Sequence, residues 1–150
     1  YTVPENIKCI YVYESKMAML LRLANSHMGA ELLLTNKTLE VLSRMKVFDM
    51  HPDVQTHSRK HENTEFLPSV DDRYRQIFLP AITLCNSIIS TLGPENHSAI
   101  SKVLSFLLSH YDMLEVILRT TVPFGESGML KELAAITGLI ARTTNQVKHF

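Results

Sequence analysis

No part of this chain carries an excess of one charge. Fifteen basic residues balance fifteen acidic ones over 150 positions, and neither sign gathers into a run. That removes the electrostatic footprint expected of a nucleic-acid or membrane-surface protein. Glycine is scarce, with five residues, and β-branched residues are scattered rather than alternating. Both facts argue for an all-helical class. The two cysteines, Cys9 and Cys85, lie in separate predicted elements. They form no disulfide framework, which fits a reducing compartment. No Gly-rich phosphate loop, GxSxG elbow or paired-carboxylate signature is present, which argues against catalysis. No signal peptide is visible. The chain begins at Tyr1 rather than Met, so we expect it to be a piece of a longer protein.

Long stretches also lack charge altogether. Between Gln76 and Pro94 there is none, and between Gln76 and Tyr111 only Glu95 and Lys102. The run contains Gln, Pro, Thr, Asn and Ser, so it does not read as a membrane span. A helix on an ordinary surface shows a charged face to water, and this one cannot. We therefore expect neighbours to cover it on more than one side. Asp71 and Asp72 suit the first turn. At helical spacing, Tyr74, Ile77, Phe78, Ala81, Ile82, Leu84, Cys85, Ile88, Ile89 and Leu92 share a broad apolar arc. Gln76, Leu79, Thr83, Asn86, Ser87 and Ser90 lie opposite. Pro80 removes one backbone donor inside the helix, which predicts a kink near Gln76–Pro80. Gly93 supplies a left-handed cap, and Pro94 opens the next element.

The following helix places Ile100, Val103, Leu104, Leu107, Leu108 and Tyr111 on one face, forming an antiparallel hairpin with its predecessor. A break is expected near His110, with Asp112 capping a short helix to Arg119. Phe106, Met113 and Ile117 make a second, weaker stripe. That stripe is the candidate partner-binding patch, and packing against the next helix pair is its plainer alternative. Hairpins with two apolar faces are the units of stacked solenoids.

Upstream, 1–46 reads as helical repeats. Tyr1–Tyr13 fits a helix or an extended segment. From Ser15, a possible cap, Met17, Leu20, Leu21, Ala24 and Met28 recur at helical spacing. A turn at Asn25–Gly29 and short helices around Ala30–Leu34 and Thr38–Met45 follow, in the rhythm of armadillo and HEAT units. Residues 47–70 hold three histidines and two prolines with no apolar period, and read as an exposed loop tolerated between helical units. Trimming His51–Asn63 should therefore leave folding intact. His57 and His61 stand at i and i+4, a spacing that on a helix can offer two imidazoles to a metal. In a loop they read as solvated side chains, so no metal or cofactor is expected. Cys85 reads as a small core hydrophobe. Residues 71–150 continue the helical repeats. Ser127 caps a last helix that buries Met129, Leu130, Leu133, Ala134, Ile136 and Ile140, with Ala135, Gly138 and Leu139 toward its outer side.

DDRYRQIFLPAITLC, TLG, HSAISKVLSFLLSHYDMLEVILR and LKELAAITGLIART together resemble the C-terminal region of the large α-solenoid scaffold nucleoporins of the nuclear pore inner ring, and ESKMAMLLRLANSHMGAELLL extends the resemblance upstream. The resemblance covers 14–143, and the 47–70 loop does not match it. It implies a HEAT/armadillo-like solenoid of antiparallel hairpins at the nuclear envelope. It also implies a structural role in nucleocytoplasmic transport, and binding of linear segments from linker nucleoporins. It brings no catalytic set, no direct nucleic-acid contact and no transmembrane segment. A HEAT/armadillo module of a soluble transport receptor or trafficking adaptor is the alternative. A helical enzyme using Cys85 or the histidines is a distant third.

Overall fold

The computed structural model describes residues 5–49, 70–112, 114–115 and 134–143. Among these residues all regular structure is helical and no strand occurs, as an all-α class requires. Glu5–Ala24 is α1, His27–Thr35 α2 and Thr38–Ser43 α3, followed by a 3-10 turn at Lys46–Asp49. Val70–Leu92 is α4 and His97–Ser109 is α5. The structure is helical again over 134–143.

The start of the chain is helical well before Ser15, which lies exposed inside α1 rather than capping it. The Tyr- and Val-containing first turns gain their stability from tertiary contact rather than propensity. The Tyr13 hydroxyl donates to the Ile77 carbonyl of α4 at 2.6 Å. That carbonyl lies next to Gln76, whose own i+4 donor position is taken by Pro80. Pro80 sits inside α4 without ending it.

The expected turn at Asn25–Gly29 is shorter than the sequence suggested. Ser26 caps α2 by accepting from Gly29 N at 3.1 Å, so Gly29 is already helical. A Cβ at Gly29 would collide with the Leu23 carbonyl oxygen. Glycine is needed there for the close approach of two backbones, not for an unusual φ. Lys37, at φ 58°, makes the left-handed step into α3.

The arc assigned to α4 is the core. Phe78, Ala81, Ile82, Leu84, Cys85 and Ile88 are fully buried, and Ile89 nearly so. Tyr74's side chain lies outside the described set. α1, α2, the 3-10 turn and α5 all pack on this helix. The opposite side is not closed, contrary to expectation. Gln76, Thr83 and Ser90, seven residues apart, form an exposed uncharged stripe, while Asn86 and Ser87 are half-buried. At its far end the Arg142 guanidinium donates to the Ser90 hydroxyl.

Gly93 takes φ +84° and its N–H bonds to the Ile89 carbonyl at 2.9 Å, the left-handed cap expected after Leu92. Pro94 does not open α5. Asn96 does, accepting from Ala99 N at 3.0 Å. α5 is also rotated relative to the sequence expectation. Ala99, Ile100, Val103, Phe106 and Leu107 are buried, whereas Leu108 and Tyr111 are 70% and 58% exposed. The break at His110 is present, but helical backbone resumes at Tyr111, so Asp112 falls within the first turn instead of capping it.

Phe48 accounts for the rotation. The sequence placed it in an exposed loop beginning at residue 47, yet it is fully buried. Its ring meets Phe78, Phe106 and His110 edge-on, with centroids 6.1, 5.7 and 5.3 Å away, an arrangement favoured by aromatic quadrupoles. The remainder of the expected loop, 50–69, lies outside the described residues. In the last helix Ile136, Leu139 and Thr143 are buried, so Leu139 faces inward, not outward. Its expected Ser127 cap and Met129, Leu130 and Leu133 lie outside the described residues.

Side chains link the two halves at a nearly constant offset. Tyr13 reaches Ile77, 64 positions on. Thr91 donates to the Ala24 carbonyl at 2.6 Å, an offset of 67. Lys102 Nζ donates to the Leu34 carbonyl at 3.0 Å, and His110 Nε2 lies 3.3 Å from the Leu42 carbonyl, each 68 apart. Sequence order is the same on both sides of each seam. α1 therefore runs parallel to α4, and the α2–α3 segment runs alongside α5 in the same sense.

Candidate partner-binding surfaces

Of the patch predicted from sequence, one residue, Phe106, is among the described residues. Phe106 is fully buried against Phe48 and His110, and Met113 and Ile117 lie outside the described residues. The ring that looked like part of a weak stripe is a centre of internal packing. His57 and His61 also lie outside the described residues. Among the described residues no cluster of His, Cys, Asp and Glu could hold a metal ion.

Cys85 sits on the α4 arc with no solvent exposure. Burial pushes its thiol up to about 12, because the thiolate would be desolvated. It is packed as a small apolar group, and the setting is the reverse of one that activates a nucleophile. Burial, and then the neighbouring Cys85, also raise the ionisation of Tyr13. Its hydroxyl thus stays a donor to the Ile77 carbonyl.

One ion pair braces the second seam. Lys102 Nζ lies 3.2 Å from Glu40 Oε1 while also donating to the Leu34 carbonyl. Burial acts to raise the Glu40 carboxyl. A backbone hydrogen bond, the hydrogen bond and charge of Lys102, and the charge of Lys37 outweigh it and hold the carboxyl below its ordinary range.

A groove of about 620 Å³ lies between α1 and α3. It is lined mainly by apolar atoms. Met17 and Leu42 are buried at its floor, and Val12 and Val41, 53% and 59% exposed, stand on opposite walls. Lys8 and Lys16 are its charged lining residues. The sequence reading missed it. The available signal was a short pattern, Lys8–Val12–Lys16 at i, i+4, i+8. It places an exposed valine between two cations on one side of α1.

No helix among the described residues is long and apolar enough to cross a membrane. The fold and its surfaces define an all-helical packing module whose polar groups brace helices against one another. Residues 2–144 match the family described as "Nuclear pore complex scaffold, nucleoporins 186/192/205", and the chain belongs to that family. It is 49% identical over 143 residues, 95% of its length, to the nuclear pore complex protein Nup205 of Drosophila melanogaster. It is 39% identical over 141 residues, 93% of its length, to the protein of the same name from Homo sapiens. The chain spans 7% of the length of each of these relatives.

Proposed function

We propose that this chain is one stretch of a structural scaffold in the inner ring of the nuclear pore complex. It acts at the nuclear envelope and supports nucleocytoplasmic transport by holding other nucleoporins, including linear segments of linker nucleoporins. Its role is mechanical rather than catalytic. Family membership supports the scaffold role. The observation that carries the reading is the constant offset between the halves, 64 to 68 residues with like elements side by side in the same sense. Counting 50–69 as an insertion, in line with the loop expected from sequence over 47–70, leaves an offset of 44–48, close to the roughly 40–47 residues of a HEAT or armadillo unit. Stacking of such units buries a continuous core and builds a solenoid. The buried thiol and the bracing roles of Lys102 and Glu40 support a packing function for these polar groups.

The test is affinity capture of the full-length chain from a nuclear-envelope extract, with and without the stretch corresponding to residues 5–143. Loss of other nucleoporins on deletion is the expected result. Retention of every partner, or capture of soluble transport cargo in their place, would overturn the assignment.

A further inference from the structure

We infer that the Lys102 ammonium is a charge-dependent clasp on the corner between α2 and α3, and that this corner opens ahead of the core when the charge is screened or removed. The inference concerns the fold and stands apart from the scaffold reading. It rests on what a single Nζ joins. Lys102, on α5, donates to the Leu34 carbonyl in the last turn of α2 at 3.0 Å. The same Nζ lies 3.2 Å from Glu40 Oε1 in the first turn of α3. Between these two contacts the chain makes its left-handed step at Lys37, φ 58°. One cation therefore bridges the end of one helix and the start of the next, with the turn held between them.

The corner is poorly held by its own residues. α2 has nine residues and α3 six, both below the roughly 12–15 at which an isolated helix becomes marginally stable. α2 has no basic residue in its last turn to meet the negative end of its dipole. The cap residue of α3, Lys37, makes no side-chain hydrogen bond, and its left-handed backbone is disfavoured for a residue with a Cβ. Lys102 brings the missing cation to α2 and fixes Glu40 of α3 beside it. Glu40 Oε2 is buried without a hydrogen-bond partner among the described residues. Neutralising Lys102 would therefore strand a carboxylate whose other oxygen is already unmet. Both members of the ion pair are partly exposed, so dissolved ions can screen it. The α1–α4 seam is built differently. Its ties come from the uncharged hydroxyls of Tyr13 and Thr91, and they flank the fully buried α4 arc. Salt should thus separate the two seams.

The test is hydrogen–deuterium exchange of the full-length chain, read by mass spectrometry on peptides covering 34–43 and 78–89. The Asn36, Lys37 and Val41 amides bond to the Leu32, Leu34 and Lys37 carbonyls at 3.0, 3.2 and 3.1 Å, so the first peptide reports on the corner. The second reports on the α4 core. Lys102→Gln should speed exchange at the corner about ten-fold and leave the core rate unchanged. Raising salt from about 0.05 to about 0.5 M should speed it about two- to three-fold in the unaltered chain and not in Lys102→Gln. Glu40→Gln keeps the Leu34 contact and should give a smaller rise. The two substitutions together should fall short of the product of their separate effects.

Unchanged corner exchange in Lys102→Gln would overturn the inference. So would equal acceleration of corner and core, which would make Lys102 one stabilising residue among many. A salt response that persists undiminished in Lys102→Gln would assign the sensitivity to other charges and overturn it too. If Lys102→Gln does not fold, Glu40→Gln decides alone, and a corner that keeps its full salt response in that variant removes the clasp.

Discussion

Replacing Phe48 with alanine tests the packing more severely than any substitution in α4. The sequence puts Phe48 in a loop where truncation would cost almost nothing. The structure buries it completely and surrounds it with Phe78, Phe106 and His110. Withdrawing a fully buried phenylalanine forfeits roughly 1.5–3 kcal/mol of transfer energy, and the residual cavity brings typical losses to about 3–5 kcal/mol. Ring contacts of this geometry contribute about 0.5–1.5 kcal/mol beyond area alone, which places the expected loss toward the upper part of that range. For a domain of this size the melting temperature should fall on the order of 10 °C. Urea unfolding followed by circular dichroism measures the loss, with Ile88→Ala, expected to cost about 2–5 kcal/mol, as the reference. Phe48→Leu should recover most of the deficit because it refills the site with apolar volume. A loss below about 1 kcal/mol for Phe48→Ala beside a full loss for Ile88→Ala would refute the reasoning. The 3-10 turn would then belong to the surface, and the rotation of α5 would lose its cause.

Three further outcomes are expected. Gly29→Ala should destabilise strongly, because its Cβ meets the Leu23 carbonyl oxygen, whereas Gly138→Ala, with open space around it, should stabilise by about 0.5–1 kcal/mol; thermal melts of the pair decide. Tyr13→Phe should cost about 0.5–1.5 kcal/mol in urea unfolding, and faster amide exchange in α1 and α4 should accompany it if the Ile77 hydrogen bond joins them. Cys85 is held protonated up to about 12, so its contribution is whole below the ordinary thiol value near ~8.5. It disappears as pH rises toward that folded value, since the unfolded chain releases the proton first. Urea midpoints should therefore decline with alkalinity, Cys85→Ala should flatten the decline, and an alkylating agent at neutral pH should modify Cys9 long before Cys85.

The α4 arc was legible because an uncharged apolar run with a 3.6-residue period admits few burial patterns. Gly93 was legible because a left-handed cap favours one residue type. The face of α5 was not. Its stripes through Leu104 and Leu108 and through Phe106 and His110 are both apolar enough to be core. The choice between them depends on Phe48, delivered from an aperiodic turn, and on Lys102 reaching Glu40 and Leu34. Leu139 presented the same ambiguity on a helix apolar on two sides. Val12, framed by Lys8 and Lys16 on α1, and Val41 on α3 were present in the sequence. Their approach across one groove depends on the intervening α2 and on the left-handed step at Lys37.

The near-constant offset between paired residues has a mechanical consequence. Each seam joins elements at similar separations along the chain, so a force that parts the two halves is shared in parallel by the Tyr13–Ile77, Ala24–Thr91, Leu34–Lys102 and Leu42–His110 ties. In the stacked repeat array proposed above, contacts extend mainly to the neighbouring unit. A small slip at every junction therefore adds up to a large change of curvature while each unit's interior stays packed.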